Sequence, residues 1–188
     1  MGGADHHTNQ GVTVDQLTII TERISQYNNP PVDQWNPASS GTIDIRIDTQ
    51  GRWFHQGDEI KRARLVKLFA SILWFDEGQY YLVTPVEKLT IDVEDTPFVV
   101  QSAQKVEGKW VVSTNTDEQI IIESEHPVML KKFDNQLIPY VLLRFDLWAR
   151  VNRSVYYQWV SEAIENDPTE KGELMLSSGD YSFVVAVV

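Results

Sequence analysis

The spacing of apolar and polar positions changes several times along the chain. Val14, Leu17, Ile20, Ile24 and Tyr27 fall at helical intervals and predict one amphipathic helix. Thr13-Val14-Asp15-Gln16 reads as its capping box, and Asn28-Asn29-Pro30-Pro31 ends it. From Gly41 the period becomes two. Ile43, Ile45 and Ile47 point to one side, Asp44 and Arg46 to the other, as in a half-buried strand. Asp48-Thr49-Gln50-Gly51 predicts a hairpin turn, and Arg52 to His55 the returning strand. Asp58 is expected to cap a second helix, with Leu65, Leu68, Phe69 and Ile72 on its buried face and an end near Asp76-Glu77-Gly78. Strands are expected over 80–84, 89–93 and 98–100. A hairpin is expected at Glu107-Gly108, then strands over 120–122 and 140–145 around a turn at Asp134-Asn135. A third helix is expected over 154–164, with Tyr156, Trp159, Val160 and Ala163 on one side. A closing hairpin runs from Leu174 to Val188.

The elements predict an α+β chain of two β-rich halves, each with one main helix, preceded by the N-terminal helix. Laying the second helix over the third, with Arg62 on Arg153, suggests an internal repeat split near residues 102–110. The expected division is a leader and helix over 1–32, a first domain over 33–104 and a second over 105–188.

The composition narrows the function classes. With 16 Lys and Arg against 27 Asp and Glu, the net charge of −11 disfavours wrapping a nucleic acid. The absence of cysteine removes disulfides, thiol nucleophiles and Cys-type metal sites. No apolar run approaches the roughly 20 residues of a membrane span, and residues 1–11 read as a polar leader without a secretory signal. A cytoplasmic location is the expectation. The phosphate-loop, GxGxxG, GxSxG and HExxH patterns are absent. His6, His7, His55 and His126 lack ligand spacing outside the leader, so no metal and no cofactor are expected.

The basic residues are the most informative. Lys61, Arg62, Arg64 and Lys67 crowd the expected start of the second helix, where the macrodipole disfavours cations. Arg150 and Arg153 stand at the start of the third helix, after Arg144 on the preceding strand. Free backbone N–H groups beside guanidinium forks suit an anion, and Trp53, Trp148, Tyr156 and Tyr157 are near in sequence for a ring. The competing reading is a solvated face on which Asp58 and Glu59 neutralise Arg62. Asp44 and Arg46, two apart on a strand, can touch on one face. Glu87 and Lys88 follow the Pro85 bend.

Several ordered motifs carry a resemblance. Trp35-Asn36-Pro37, Gly41-x-Ile43-Asp44-Ile45-Arg46-Ile47, Gly51-x-Trp53, Leu65-Val66-x-Leu68-Phe69, Tyr81-Leu82-Val83-Thr84-Pro85-Val86-Glu87-Lys88 and Glu94-Asp95-x-Pro97-Phe98 lie in the first half. Arg144, Ala149-Arg150 and Arg153-x-Val155-Tyr156-Tyr157 lie in the second. Together, over about residues 30–165, the sequence resembles the bacterial domain-of-unknown-function family 1285. The resemblance implies two β-rich domains with a repeated motif, the second superficially like the pleckstrin-homology fold. It also implies a ligand site at the domain interface, for a nucleotide-like molecule, and a signalling role; no enzyme activity is implied. One departure is Glu59, where the family pattern has proline before Ile60.

The expectation is therefore a non-enzymatic, sensory binder of an anionic small molecule, held between the halves. The ligand-binding candidates are Asp44, Arg46, Arg62, Arg64, Glu87, Lys88, Arg144, Arg150, Arg153 and Tyr157. Two alternatives stay open: a hydrolase using Asp44 or Glu87 as general base, and a protein-interaction module using exposed strand edges or a hydrophobic patch.

Overall fold

The computed structural model describes residues 15–168 and 172–188, so the expected leader and the Thr13 cap lie outside the described residues. The first helix, α1 (Gln16–Ile24), begins after Asp15, whose carbonyl accepts from Thr18 and Ile19. Its Ile20 and Ile24 are buried, and Tyr27 beyond its end packs edge-on against Trp35 at 5.2 Å.

The first half is a six-stranded sheet. Its strands are β1 (Ser39–Ile47), β2 (Trp53–His55), β3 (Asp58–Glu59), β4 (Leu73–Asp76), β5 (Gln79–Val83) and β6 (Glu87–Val93), in the order β3-β2-β1-β6-β5-β4. Ile43, Ile45 and Ile47 alternate inward as expected. The central pair, β1 and β6, is parallel, with Ile47 opposite Val93; the outer pairs are antiparallel.

The second helix departs from its expected bounds at both ends. It is α2 (Ala63–Ala70), with Arg62 at the cap position. Asp58 is not its cap. Gln56 and Gly57, both at positive φ, close a two-residue turn that pairs His55 with Asp58, so this stretch becomes strand. Glu77 and Gly78, also both at positive φ, close the β4–β5 hairpin instead of ending a helix. Ile72 and Leu73 are buried just after the helix, while Leu65 and Leu68 are half-buried on it.

The second half is another six-stranded sheet. Its strands are β7 (Phe98–Val106), β8 (Lys109–Thr114), β9 (Gln119–Ile121), β10 (Val128–Phe133), β11 (Gln136–Arg144) and β12 (Leu147–Val151), in the order β10-β11-β12-β7-β8-β9. Here too the first and sixth strands form a parallel central pair, with Val100 opposite Val151. The two sheets thus share one topology, related by a shift of six strands. The repeat is real in the sheets, and helix-on-helix superposition misplaces it. α2 lies between the third and fourth strands of its sheet, whereas α3 (Arg153–Asn166) follows the sixth strand of its own. β7 lies wholly in the second sheet, so the change of sheet falls before Phe98 and not at 104–105.

Asn152 caps α3 by accepting from the Val155 N–H at 2.9 Å. Val155, Trp159 and Ala163 are buried, and Tyr156 is half-buried. A last hairpin, β13 (Glu173–Ser178) and β14 (Tyr181–Val187), closes this core, with Trp159 edge-on to Trp110 and Phe183. Among the described residues, no helix is long and apolar enough to cross a membrane.

The β1–β2 turn has a testable electrostatic core. The Asp48 side chain accepts from the backbone of Gln50 and Arg52, each at 2.9 Å, and from Arg52 Nε at 2.7 Å. Burial works to raise its pKa, but these hydrogen bonds outweigh it and hold the carboxyl below the usual 3.8. A carboxyl depressed on folding adds stability above its unfolded pKa and loses it as pH falls through the folded value. Asp48→Asn is therefore expected to cost about 1–3 kcal/mol at pH 7, on the scale of charged hydrogen bonds. Urea titrations should find the gap between variant and parent narrowing below pH 4; a constant gap would count against this role.

Candidate functional site

The ten residues singled out from the sequence do not meet at one point. Arg62 and Arg64 face a cleft of about 510 Å³ between α1 and α2. α1 contributes Thr21, its C-cap residue Ser25 lies one turn on, and Tyr27 and Asn28 follow. α2 contributes Leu65, Lys67 and Leu68, and Ser71 closes the floor. Lys67 is ion-paired with Asp117 of the second half. Among the described residues neither Arg62 nor Arg64 pairs with a carboxylate, and the expected neutralisation by Asp58 and Glu59 does not occur. The turn that makes Asp58 and Glu59 a strand carries them away from the helix start. What remains is two uncommitted guanidinium groups in a concave, partly apolar site.

Asp44 and Arg46 lie on the outer face of the first sheet, along a trough of about 560 Å³ over β1, β5 and β6. They do not pair with each other. Arg46 bonds Glu94 and lies 4.4 Å from the Phe54 ring centroid. Glu87 and Lys88, adjacent on β6, point to opposite faces. Glu87 pairs with Arg23 of α1, whereas Lys88 reaches Asp76 at 2.9 Å and lies 4.1 Å from the Tyr81 ring centroid.

Arg144 and Arg150 are struts of the seam between the halves. Arg144 pairs with Glu118 and donates to the Ala70 carbonyl at the end of α2, at 3.0 Å. Arg150, only 8% exposed, donates through Nε to Asp95 Oδ2 at 2.9 Å and through Nη2 to the Thr49 carbonyl. Its guanidinium lies 4.1 Å from the Phe133 ring centroid. Tyr140 donates to the other Asp95 oxygen at 2.8 Å; burial first, and this bond second, push its phenol far up the scale, so it stays a donor. Burial lowers the Lys131 ammonium, which sits over Trp148 at 3.6 Å. Asp95, Tyr140 and Thr49 carried no chemical signal in the sequence, because their roles exist only where three separated segments meet.

Arg153 and Tyr157, one turn apart on α3, bond each other, with Nη2 at 3.0 Å from the phenol oxygen. They border a cavity of about 260 Å³ with Phe133, Gln136, Tyr156 and one flank of Arg150. The cavity beside α3 and the cleft beside α2 are each lined from one half alone. Arg62 and Arg64, and Arg150 and Arg153, expected at the starts of the two helices to meet one ligand between the halves, therefore border two separate concavities, with Arg150 already committed to the seam.

Family models agree with the two-sheet division. The model described as the N-terminal domain of DUF1285, a domain of unknown function, matches residues 30–96. The model for the C-terminal domain of DUF1285, a protein of unknown function, matches residues 97–185. No curated protein matches the sequence. Among solved structures, a DUF1285 family protein from Silicibacter pomeroyi DSS-3 superposes with a TM-score of 0.83 at 31% identity, covering 94% of this chain and 97% of its own. One from Shewanella baltica OS155 superposes with a TM-score of 0.52 at 31% identity, covering 63% of this chain and 91% of its own. Two contiguous domain matches and near-complete overlap with a solved relative establish that this chain belongs to the DUF1285 family.

Proposed function

We propose that the protein is a non-enzymatic binder of a small anionic ligand and that the ligand occupies the cleft between α1 and α2. The observation that carries this reading is the pair Arg62 and Arg64, without carboxylate partners, inside a concavity of about 510 Å³ in a chain of net charge −11. That volume is in the range of small-molecule sites. Guanidinium forks suit phosphate or carboxylate oxygens, and Tyr27, Leu65 and Leu68 offer apolar surface to a ring. A nucleotide-like molecule answers both demands. The described lining residues include no histidine and no carboxylate, the side chains that most often serve as general base or metal ligand. Retention without turnover suits a sensory or signalling role, exercised in the cytoplasm where phosphorylated metabolites are held.

A calorimetric and thermal-shift panel of nucleoside mono-, di- and triphosphates with inorganic phosphate tests this. Arg62→Ala and Arg64→Ala are each expected to weaken binding by about 1.5–3 kcal/mol, on the scale of a charged hydrogen bond. Both residues are exposed, so folding should change little. Arg→Lys should rescue only in part, because an ammonium lacks the planar fork. Arg153→Ala should leave binding unchanged; the reverse pattern would move the ligand to the cavity beside α3.

A further inference from the structure

We propose that α1 is the movable wall of the anion cleft, so that docking α1 and filling the cleft are one coupled event. The inference rests on the cleft being the ligand site.

α1 has nine residues, too few for a stable helix alone, and its cap residue Asp15 makes no side-chain capping bond. Its helical state therefore depends on docking. Ile20 and Ile24 insert into the body and Leu17 packs beside them, with concavities on both flanks. On one side, Thr21 and Ser25 face the anion cleft. On the other, Ile19 and Arg23 border a small cavity of about 90 Å³ with Glu87 and Leu89. The ion pair between Arg23 and Glu87 spans that second flank and is one polar mooring of the helix; Asp15 at its start lies 4.0 Å from His55 Nε2. The body presents Glu87 in a fixed place. The fully buried Thr84 accepts from the Val86 and Glu87 N–H groups, at 3.3 and 3.1 Å, and so holds the bend that starts β6. Glu87 does not line the anion cleft, so it is a positioning residue and not a ligand contact.

Removing α1 leaves Arg62 and Arg64 on an open surface without the opposing wall. A ligand that touches both helices binds the docked state alone. By linkage it must strengthen docking by the same factor that docking strengthens its binding. This also gives the Thr84–Lys88 bend a role in ligand response without chemistry of its own.

Hydrogen exchange read by mass spectrometry tests the coupling on the full chain, with adenosine triphosphate and inorganic phosphate as probes and calorimetry alongside. In the free protein the peptide spanning α1 should exchange faster than that spanning β8. Glu87→Gln and Arg23→Gln should each speed exchange across α1 several-fold and leave β8 unchanged. A probe at 100 times its Kd should slow exchange across α1 by up to about 100-fold. If a probe binds through Arg62 and Arg64 but α1 exchanges equally with and without it, the coupling is wrong and the cleft reading stands. If the mooring variants leave α1 exchange unchanged, the mooring role of Glu87 is wrong. If neither probe binds, the cleft reading falls and the coupling with it.

Discussion

Replacing Arg150 with alanine is expected to destabilise the chain by about 3–5 kcal/mol, the range for removing one partner of a buried ion pair. The residue is 8% exposed and its side chain meets three separate segments: Asp95 between the sheets, the Thr49 carbonyl in the β1–β2 turn, and the Phe133 ring of β10. Truncation would leave Asp95 with Tyr140 as its remaining side-chain partner and the Thr49 carbonyl short of a donor. Loss of a shared seam should appear as a lower denaturant midpoint for both halves together. Lysine should not restore it, since one ammonium cannot serve Asp95 and Thr49 with the same geometry. The double variant Asp95→Asn, Arg150→Met should recover part of the loss, because it removes the stranded charge along with its partner. A cost below about 1 kcal/mol for Arg150→Ala would show that the seam does not depend on this strut and would return Arg150 to the list of free ligand contacts.

A second large effect is expected at Gly51. It is buried, has φ +73°, and a Cβ there would lie 2.5 Å from Asn115 Nδ2 and 3.3 Å from Val99 Cγ2. Asn115 is the bridge between the halves at this point. It donates to the Gly51 carbonyl at 3.0 Å and accepts from the Val99 N–H at 2.9 Å. Gly51→Ala therefore adds left-handed backbone strain of about 1–2 kcal/mol to the disruption of two hydrogen bonds, each about 1 kcal/mol. The sum is about 3–4 kcal/mol. Gly57, at φ +87° with open space around the missing Cβ, isolates the backbone part. Gly57→Ala should cost only the strain. Equal thermal shifts for the two variants would remove the steric argument and with it the bridging role of Asn115.

The anion cleft was half legible. The crowding of Lys61, Arg62, Arg64 and Lys67 at a helix start points to α2, which lines the cleft, because a dipole that disfavours cations makes such a cluster unusual. Thr21, Ser25, Tyr27 and Asn28 went unrecognised as its opposite wall. Only packing of the N-terminal helix against α2 brings them near. Arg144 and Arg150 read the same as Arg62 and Arg64 in one dimension. What separates them is whether a carboxylate or carbonyl from a distant segment has already claimed the guanidinium, and that is a property of the seam.

Local alternation and turn chemistry were enough for most of the strands. Ile43, Ile45 and Ile47 sit on one face because side chains alternate along any strand, whatever surrounds it. Glu107-Gly108 turns because glycine accepts positive φ at no steric cost. The turns at Gln56-Gly57 and Glu77-Gly78 follow the same rule, yet helical spacing around them masked it. The turn at Phe145-Asp146 holds positive φ at both positions without glycine, so its neighbours β11 and β12, not local preference, hold it there. The parallel central pairs, β1 with β6 and β7 with β12, join segments far apart in the chain. No local signal encodes such a pairing. The chain's own periodicity therefore determined most of the strands and helices and which of their faces are apolar, but not such strands as β3, β4 or β10. Tertiary structure alone decided how six strands order themselves twice, which arginines lock the seam and which two, Arg62 and Arg64, are left without a carboxylate partner among the described residues, because those outcomes depend on burial and partners contributed by distant residues.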